Sequence, residues 1–359
     1  NFQNMGGAKL SDMTKNMGAA QFADLGGAKL LDMTKTMDAT NFQNMGGTAL
    51  GDMTKNMGAA EYADLGGSKL ADMTINMGAV QFADLGGAKL GDMMGNMDAT
   101  NFQNMGGSTL SDMTKNMGAA QFADLGGAKL GDMMGTMDAT NFQNMGGSTL
   151  AGMTGNMGAE QFANLGGAKI ADMTKNMEIN DLRQIGGAKV ADMAMTMASA
   201  EYKELGGAKV SDMTQTMEAD DLKGIGKGAL QAIAEELPSD SINALGADRV
   251  EVMVTGVDVE AIKEVATDTL LNMMDTMKVE QIGTMGDDRK SQILESTGAN
   301  FLSLISGEGT STTDWPDPTL ILEKPEFETQ AEAIEEAVKA KLESSISESA
   351  LAALSRLRI

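Results

Sequence analysis

The sequence predicts an all-α fold: an α-solenoid, or superhelix, of twenty-residue two-helix repeats with a C-terminal linker and a helical tail. Three observations predict it. Phe2, Phe22, Phe42, Tyr62, Phe82, Phe102, Phe122, Phe142 and Phe162 stand twenty residues apart without a gap, and Leu182, Tyr202, Leu222, Ile242 and Ile262 continue the column. A glycine pair recurs at the same interval, from Gly6 and Gly7 to Gly206 and Gly207. Between the glycines the apolar residues are three or four apart, the spacing of one helix face, and not two apart as in a strand. A fixed period without insertions marks an array in which each unit is expected to touch only its neighbours.

The unit from Asp38 to Gly58 shows the elements in order. "DATNFQNM" predicts a short first helix with Asp38 as its N-cap, the carboxylate accepting from backbone N–H groups of the first turn. Gly18, Gly58 and Ser199 are read into the cap column elsewhere, and Gln21 or Glu61 stands three positions beyond the cap, the spacing of a capping box. Ala39, Phe42 and Met45 share one face. Gly46 suits a left-handed position that ends the helix. Gly47 then caps a second helix, "TALGDMTKNM", in which Leu50, Met53 and Met57 share a face and Asp52, Lys55 and Asn56 lie opposite. Phe82, Leu85, Leu90, Met93 and Met97 repeat this candidate core, and Gly86 and Gly87 repeat the punctuation. Helices shorter than roughly 12–15 residues are marginal alone in water. Burying each Leu, Met or Phe gives roughly 1.5–3 kcal/mol, so stacking is what makes the unit stable.

Residues 81–120 and 121–160 differ at only five places, which points to duplication of a forty-residue block. The predicted organisation is a regular array over 1–220, degenerate repeats and a cap over 221–300, an extended linker over 301–327 and helices over 328–359. The glycine pair erodes at Gly226–Lys227, Gly246–Ala247 and Ala266–Thr267, which predicts ordinary joints there. Pro238 marks a helix start, and register is expected to fade around "MGDDRKSQ". The linker holds the single Trp, Trp315. The last helix carries Leu351, Leu354 and Leu357. These four are the candidate partner contacts.

Composition limits function. The formal net charge of -24 disfavours phosphate backbones and anionic lipid as partners. The chain has no Cys and no His, which removes disulfides, thiolate metal sites, Cys nucleophiles and the commonest general base. No apolar run reaches the roughly 18–20 residues of a membrane span. The opening "NFQNMGG" begins inside a repeat and is not a signal peptide, so an upstream segment is expected.

The alternation of "GGAKL" and "GAAQFADL" helices, with Ala8, Leu10, Met13, Met17, Phe22 and Leu25, resembles the short-helix superhelical repeats of the MgtE N-terminal domain and of the flagellar rotor protein FliG. Those families often have Pro-Glu where this chain has glycines. The resemblance covers the array and implies a helical superhelix, with no activity or functional residue carried over.

Two ladders have sharper readings. Met13, Met17, Met53, Met57, Met93, Met94 and Met97 could ligate Cu(I) through soft thioethers. Ile233 and Leu237 replace Met in later units, which favours a packed core. The Asp column from Asp12 to Asp212, interrupted at Gly152, could collect Ca²⁺. A solvated face with Lys9–Asp12 and Asp12–Lys15 pairs is favoured instead. The "MGGAKL" turn follows a helix, recurs and lacks a Walker pattern, so it reads as helix punctuation. No catalytic residue, cofactor or metal site is expected. The expected function is that of a non-enzymatic elongated scaffold, spacer or fibre component of a cell surface, filament or virion, with an extracellular or virion location favoured over a cytoplasmic one. It would bind other protein subunits through its C-terminal part, or self-assemble. The alternatives are a protein-binding solenoid that grips a basic partner and, behind it, cation binding along the ladders.

Overall fold

The computed structural model describes residues 2–298, and among them every regular element is helical. The chain forms two compact units, residues 1–196 and 197–359, the second described as far as 298. Trp315, Leu351, Leu354 and Leu357, with the predicted linker and tail, lie outside the described residues.

In the first unit short and longer helices alternate, as in Ala59–Leu65 followed by Gly67–Thr74, and Ala139–Met145 followed by Gly147–Thr154. One glycine makes the joint between them. The Gly66 N–H donates to the Tyr62 carbonyl at 3.1 Å, and the Gly66 carbonyl accepts from the Leu70 N–H at 3.2 Å. The same residue therefore ends one helix and starts the next. Its counterparts Gly46 and Gly86 have φ 77°, ψ 157° and φ 75°, ψ 159°. The positive φ is the one expected. The extended ψ is not the left-handed helical value; it belongs to a region essentially reserved for glycine.

The second glycine of each pair serves a different need. Gly47 and Gly87 do not have positive φ. A Cβ on Gly47 would sit 2.7 Å from the Asn76 carbonyl oxygen, and one on Gly87 2.5 Å from that of Asn116. At these two joints the second helix thus begins against the end of the second helix of the following unit, too close for any side chain.

Phe42, Met45, Leu50, Met53, Met57, Phe82, Leu85, Leu90, Met93 and Met97 are all buried. Ala39 stays exposed, so the first helix buries its face from Phe42 onward. Separate second helices run 8–10 residues, less than the sequence suggests. Asn56, at φ -93° and ψ 3°, already leaves the helix, and Met57 is buried from the joint. A further column lies inside. The Thr34, Thr54, Thr154 and Thr174 hydroxyls donate at 2.6–2.8 Å to carbonyls four residues back, which satisfies them within the core. Met94 and Met134 occupy the same column and are fully buried.

In the second unit the glycine joint outlasts the glycine pair. Gly226 and Gly246 keep φ 81° and φ 80° although Lys227 and Ala247 follow them, because only the first position needs the unusual backbone. Ordinary joints begin later, at Ala266 with φ -57° and Gly286 with φ -63°. Pro238 caps a short 3-10 turn, Ser239–Ser241, that leads into Ile242–Leu245. The N-cap before Ser199–Leu205 is Ala198 rather than Ser199, one position from the reading of the sequence. Packing continues through Asp287–Thr297, whose Ile293 and Leu294 are buried, so the repeat does not fade where "MGDDRKSQ" suggests.

Candidate functional site

The polar columns of the repeat define the candidate sites. The first is the helix cap. The Asp38 carboxylate accepts from the Asn41 N–H at 2.9 Å, and the Asn41 side-chain oxygen accepts from the Asp38 N–H at 3.1 Å. Asp98 with Asn101 and Asp138 with Asn141 repeat this reciprocal box. Where glycine is the cap, only the returning half remains: Gln21 accepts from Gly18 N–H at 2.9 Å and Glu61 from Gly58 N–H at 3.0 Å.

The second column was read in the sequence as solvated lysines, and most of it has another use. The Lys69 ammonium donates to the Met37 carbonyl at 2.5 Å, Lys89 to Met57 at 2.5 Å, and Lys129 to both Gly95 and Met97 at 2.6 Å. Lys169 reaches Gly135 at 2.8 Å, and Lys189 reaches Met157 at 2.8 Å. In the second unit Arg249 donates to Met217 at 2.5 Å and Arg289 to Val257 at 2.7 Å. The carbonyls that end a helix lack partners within it and carry its negative dipole end, so a cation suits them. These bonds span 32 to 34 residues and pass over one whole unit. The array is therefore tied beyond nearest neighbours, contrary to the expectation from the period. Burial is the main influence on Lys169 and lowers its pKa, while Asp138 and Asp172 pull it back up.

The third column is Asp12 and its successors. Lys15 pairs with Asp12 at 2.8 Å, Lys115 with Asp112 at 3.3 Å and Lys175 with Asp172 at 3.7 Å. Lys35 instead reaches Asp64, at 3.7 Å, on a later first helix. The lysine of this column is replaced by glycine at Gly95, Gly135 and Gly155, and by Ile75 and Met195 elsewhere. At Gly95 and Gly135 the surface opens into a cavity of about 380 Å³. Gly91, Asp92, Gly95, Gln121, Asp124 and Leu125 line the first. Gly131, Asp132, Gly135, Glu160, Gln161 and Asn164 line the second, in matching register forty residues on. Nothing in the sequence announced cavities.

Met53, Met57, Met77, Met93, Met94 and Met97 are buried, the Met53 sulfur accepting from the Thr34 hydroxyl at 3.8 Å, and Met17 is half-buried. Met13, in the first unit of the array, is exposed. Among the described residues no group of three or more acidic side chains converges to hold a metal ion, and no helix is long and apolar enough to cross a membrane. Tyr62 is fully buried with its hydroxyl donating to the Thr54 carbonyl at 2.8 Å. Burial first, then the carboxylates of Asp92 and Glu61, push its phenol far up. Burial pushes Tyr202 in the same direction. The chain matches no protein-family model and no curated protein sequence.

Proposed function

We propose that the chain is a non-enzymatic structural repeat protein, a scaffold or spacer within a larger cell-surface, filament or virion assembly. One observation carries this reading: the repeated polar side chains bind the units to one another. The lysines that end helices two units back, from Lys69 to Lys189, hold the array together. Near-identity of residues 81–120 and 121–160 presents the same surface twice, which suits a spacer better than a groove whose side chains must differ from unit to unit. With neither Cys nor His in the sequence, the groups most used for nucleophilic and acid–base chemistry are missing. The kinship with the MgtE and FliG repeats remains a proposal about architecture.

The test is deletion of residues 81–120, which removes a whole block in register. The expected outcome is a folded chain whose native assembly keeps its composition and shortens its repeat distance, read by electron microscopy of the particles. An assembly with unchanged spacing that has lost one specific soluble partner would overturn the reading in favour of a recognition module.

A further inference from the structure

We infer that the array carries a size code. The residue at position 11 and its successors at twenty-residue intervals are matched in volume to the residues thirty positions further on, and the match decides which repeat stacks on which. The inference goes beyond the scaffold reading, since it concerns how near-identical repeats choose partners and holds whatever the array is used for.

The code begins at the cap of the first helix. Gln81 and Asn101 do the same work there, each side-chain oxygen accepting from the N–H three residues before, that of Gly78 at 3.0 Å and that of Asp98 at 3.1 Å. Gln has one methylene more than Asn, its Cγ. That methylene lies over an earlier second helix. A Cβ on Gly51 would fall 2.8 Å from the Gln81 Cγ, one on Gly91 3.1 Å from the Gln121 Cγ, and one on Gly131 3.3 Å from the Gln161 Cγ. Carbon atoms in contact rest at about 3.5–4.0 Å, so the missing side chain is what makes room. Gly51, Gly91 and Gly131 lie within helices, where glycine weakens the fold. None has a positive φ, so the backbone gives no reason for them and the contact does.

Where the cap residue is the shorter Asn or Asp, the residue opposite is larger. Ser11 stands thirty before Asn41, Ala71 before Asn101, Ser111 before Asn141 and Ala151 before Asp181. All four are buried. The Ser11 hydroxyl donates to the Asn41 carbonyl at 2.9 Å, and that of Ser111 to the Asn141 carbonyl at 3.2 Å. Leu31, thirty before Glu61, departs from the rule. In residues 197–298 the two positions still meet, now through a hydrogen bond: the Gln281 amide donates to Glu251 at 2.7 Å.

The match distinguishes repeats that the core leaves alike. Phe, Leu and Met fill the same columns throughout residues 81–160, so burial alone is satisfied by any register. A slip of one repeat sets Ala71 against Gln121 and Ser111 against Gln161, where the space is already taken. It sets Gly51 against Asn101 and Gly91 against Asn141, where a gap is left. Overpacking and voids both destabilise. A slip of two repeats sets Gly51 against Gln121 and Ala71 against Asn141, and the sizes agree again. The code therefore rejects the nearest error in stacking.

The test is urea denaturation of the full chain followed by circular dichroism. Helix propensity alone raises the midpoint when Gly51 becomes Ala. The size match instead expects Gly51→Ala to lower it, by about 0.3–0.5 M, because crowding against Gln81 outweighs propensity. Gln81→Asn and Gln121→Asn are measured alone and in combination with it. Gly51→Ala/Gln81→Asn is expected to regain the wild-type midpoint, and Gly51→Ala/Gln121→Asn to regain nothing. In the reverse sense Asn101→Gln is expected to lower the midpoint and Ala71→Gly to recover it, and this pair decides the matter should Gly51→Ala fail to fold. A midpoint raised by Gly51→Ala, or rescue by Gln121→Asn equal to that by Gln81→Asn, would overturn the inference. So would an unchanged midpoint in Asn101→Gln.

Discussion

At the residue scale, Tyr62 shows how one column accepts two chemistries. Most first helices place Phe there, and Tyr62 adds a hydroxyl that finds the Thr54 carbonyl. Tyr62→Phe keeps the volume and loses that bond, so the expected cost at neutral pH is about 0.5–1.5 kcal/mol by urea denaturation. The pH dependence has a definite sign. The native phenol holds its proton above the value of about 10 at which an unfolded tyrosine releases it. Its contribution is therefore complete below that value and is lost as pH rises toward the higher native one. Above it the wild type should lose stability faster than Tyr62→Phe, while Tyr202 and the deprotonating lysine bridges contribute the part that persists.

The glycine pair marks how far the sequence can be read at this scale. Its period and its role as punctuation were legible, because Gly46 and Gly47 stand between two apolar rhythms. The division of labour was not. A need for positive φ at Gly46 and for bare backbone at Gly47 look alike as letters, since the second need is set by Asn76, almost thirty residues away. The buried Thr column escaped for a related reason: a hydroxyl satisfied by its own helix leaves no mark except that Met94 and Met134 replace it.

At the element scale, the helices are too short to stand alone and are finished at both ends by side chains. The first ends were visible in the sequence, because Asp38 and Asn41 are local to one another. The far ends were not, because the cations come from beyond the next unit. Lys129→Met should expose the difference. It leaves the Gly95 and Met97 carbonyls without their ammonium and is expected to cost about 1–3 kcal/mol. Lys115→Met, which removes only an exposed pair with Asp112, should stay within about 1 kcal/mol. Equal effects in chemical denaturation would return both lysines to the solvated face.

At the scale of the whole molecule, such bonds alter how the array comes apart. In a nearest-neighbour solenoid, units can fray singly from an end. Here Lys69, Lys89, Lys129, Lys169 and Lys189 each tie their unit to the one two before it. Hydrogen exchange followed by mass spectrometry should show protection lost in steps of two units or more within residues 39–196. Steps of one unit would mean that the bridges add nothing to cooperativity.

The same reach bears on how such a chain can lengthen through its gene. Copying a single unit would set Asn-type caps against glycines that now face Gln, as Gly87 faces Gln121 while Gly107 faces Asn141. Copying two at once returns every donor to an acceptor of the kind it left. The near-twin stretches 81–120 and 121–160 have that length, so in this part of the chain the increment that preserves every partner is the couple.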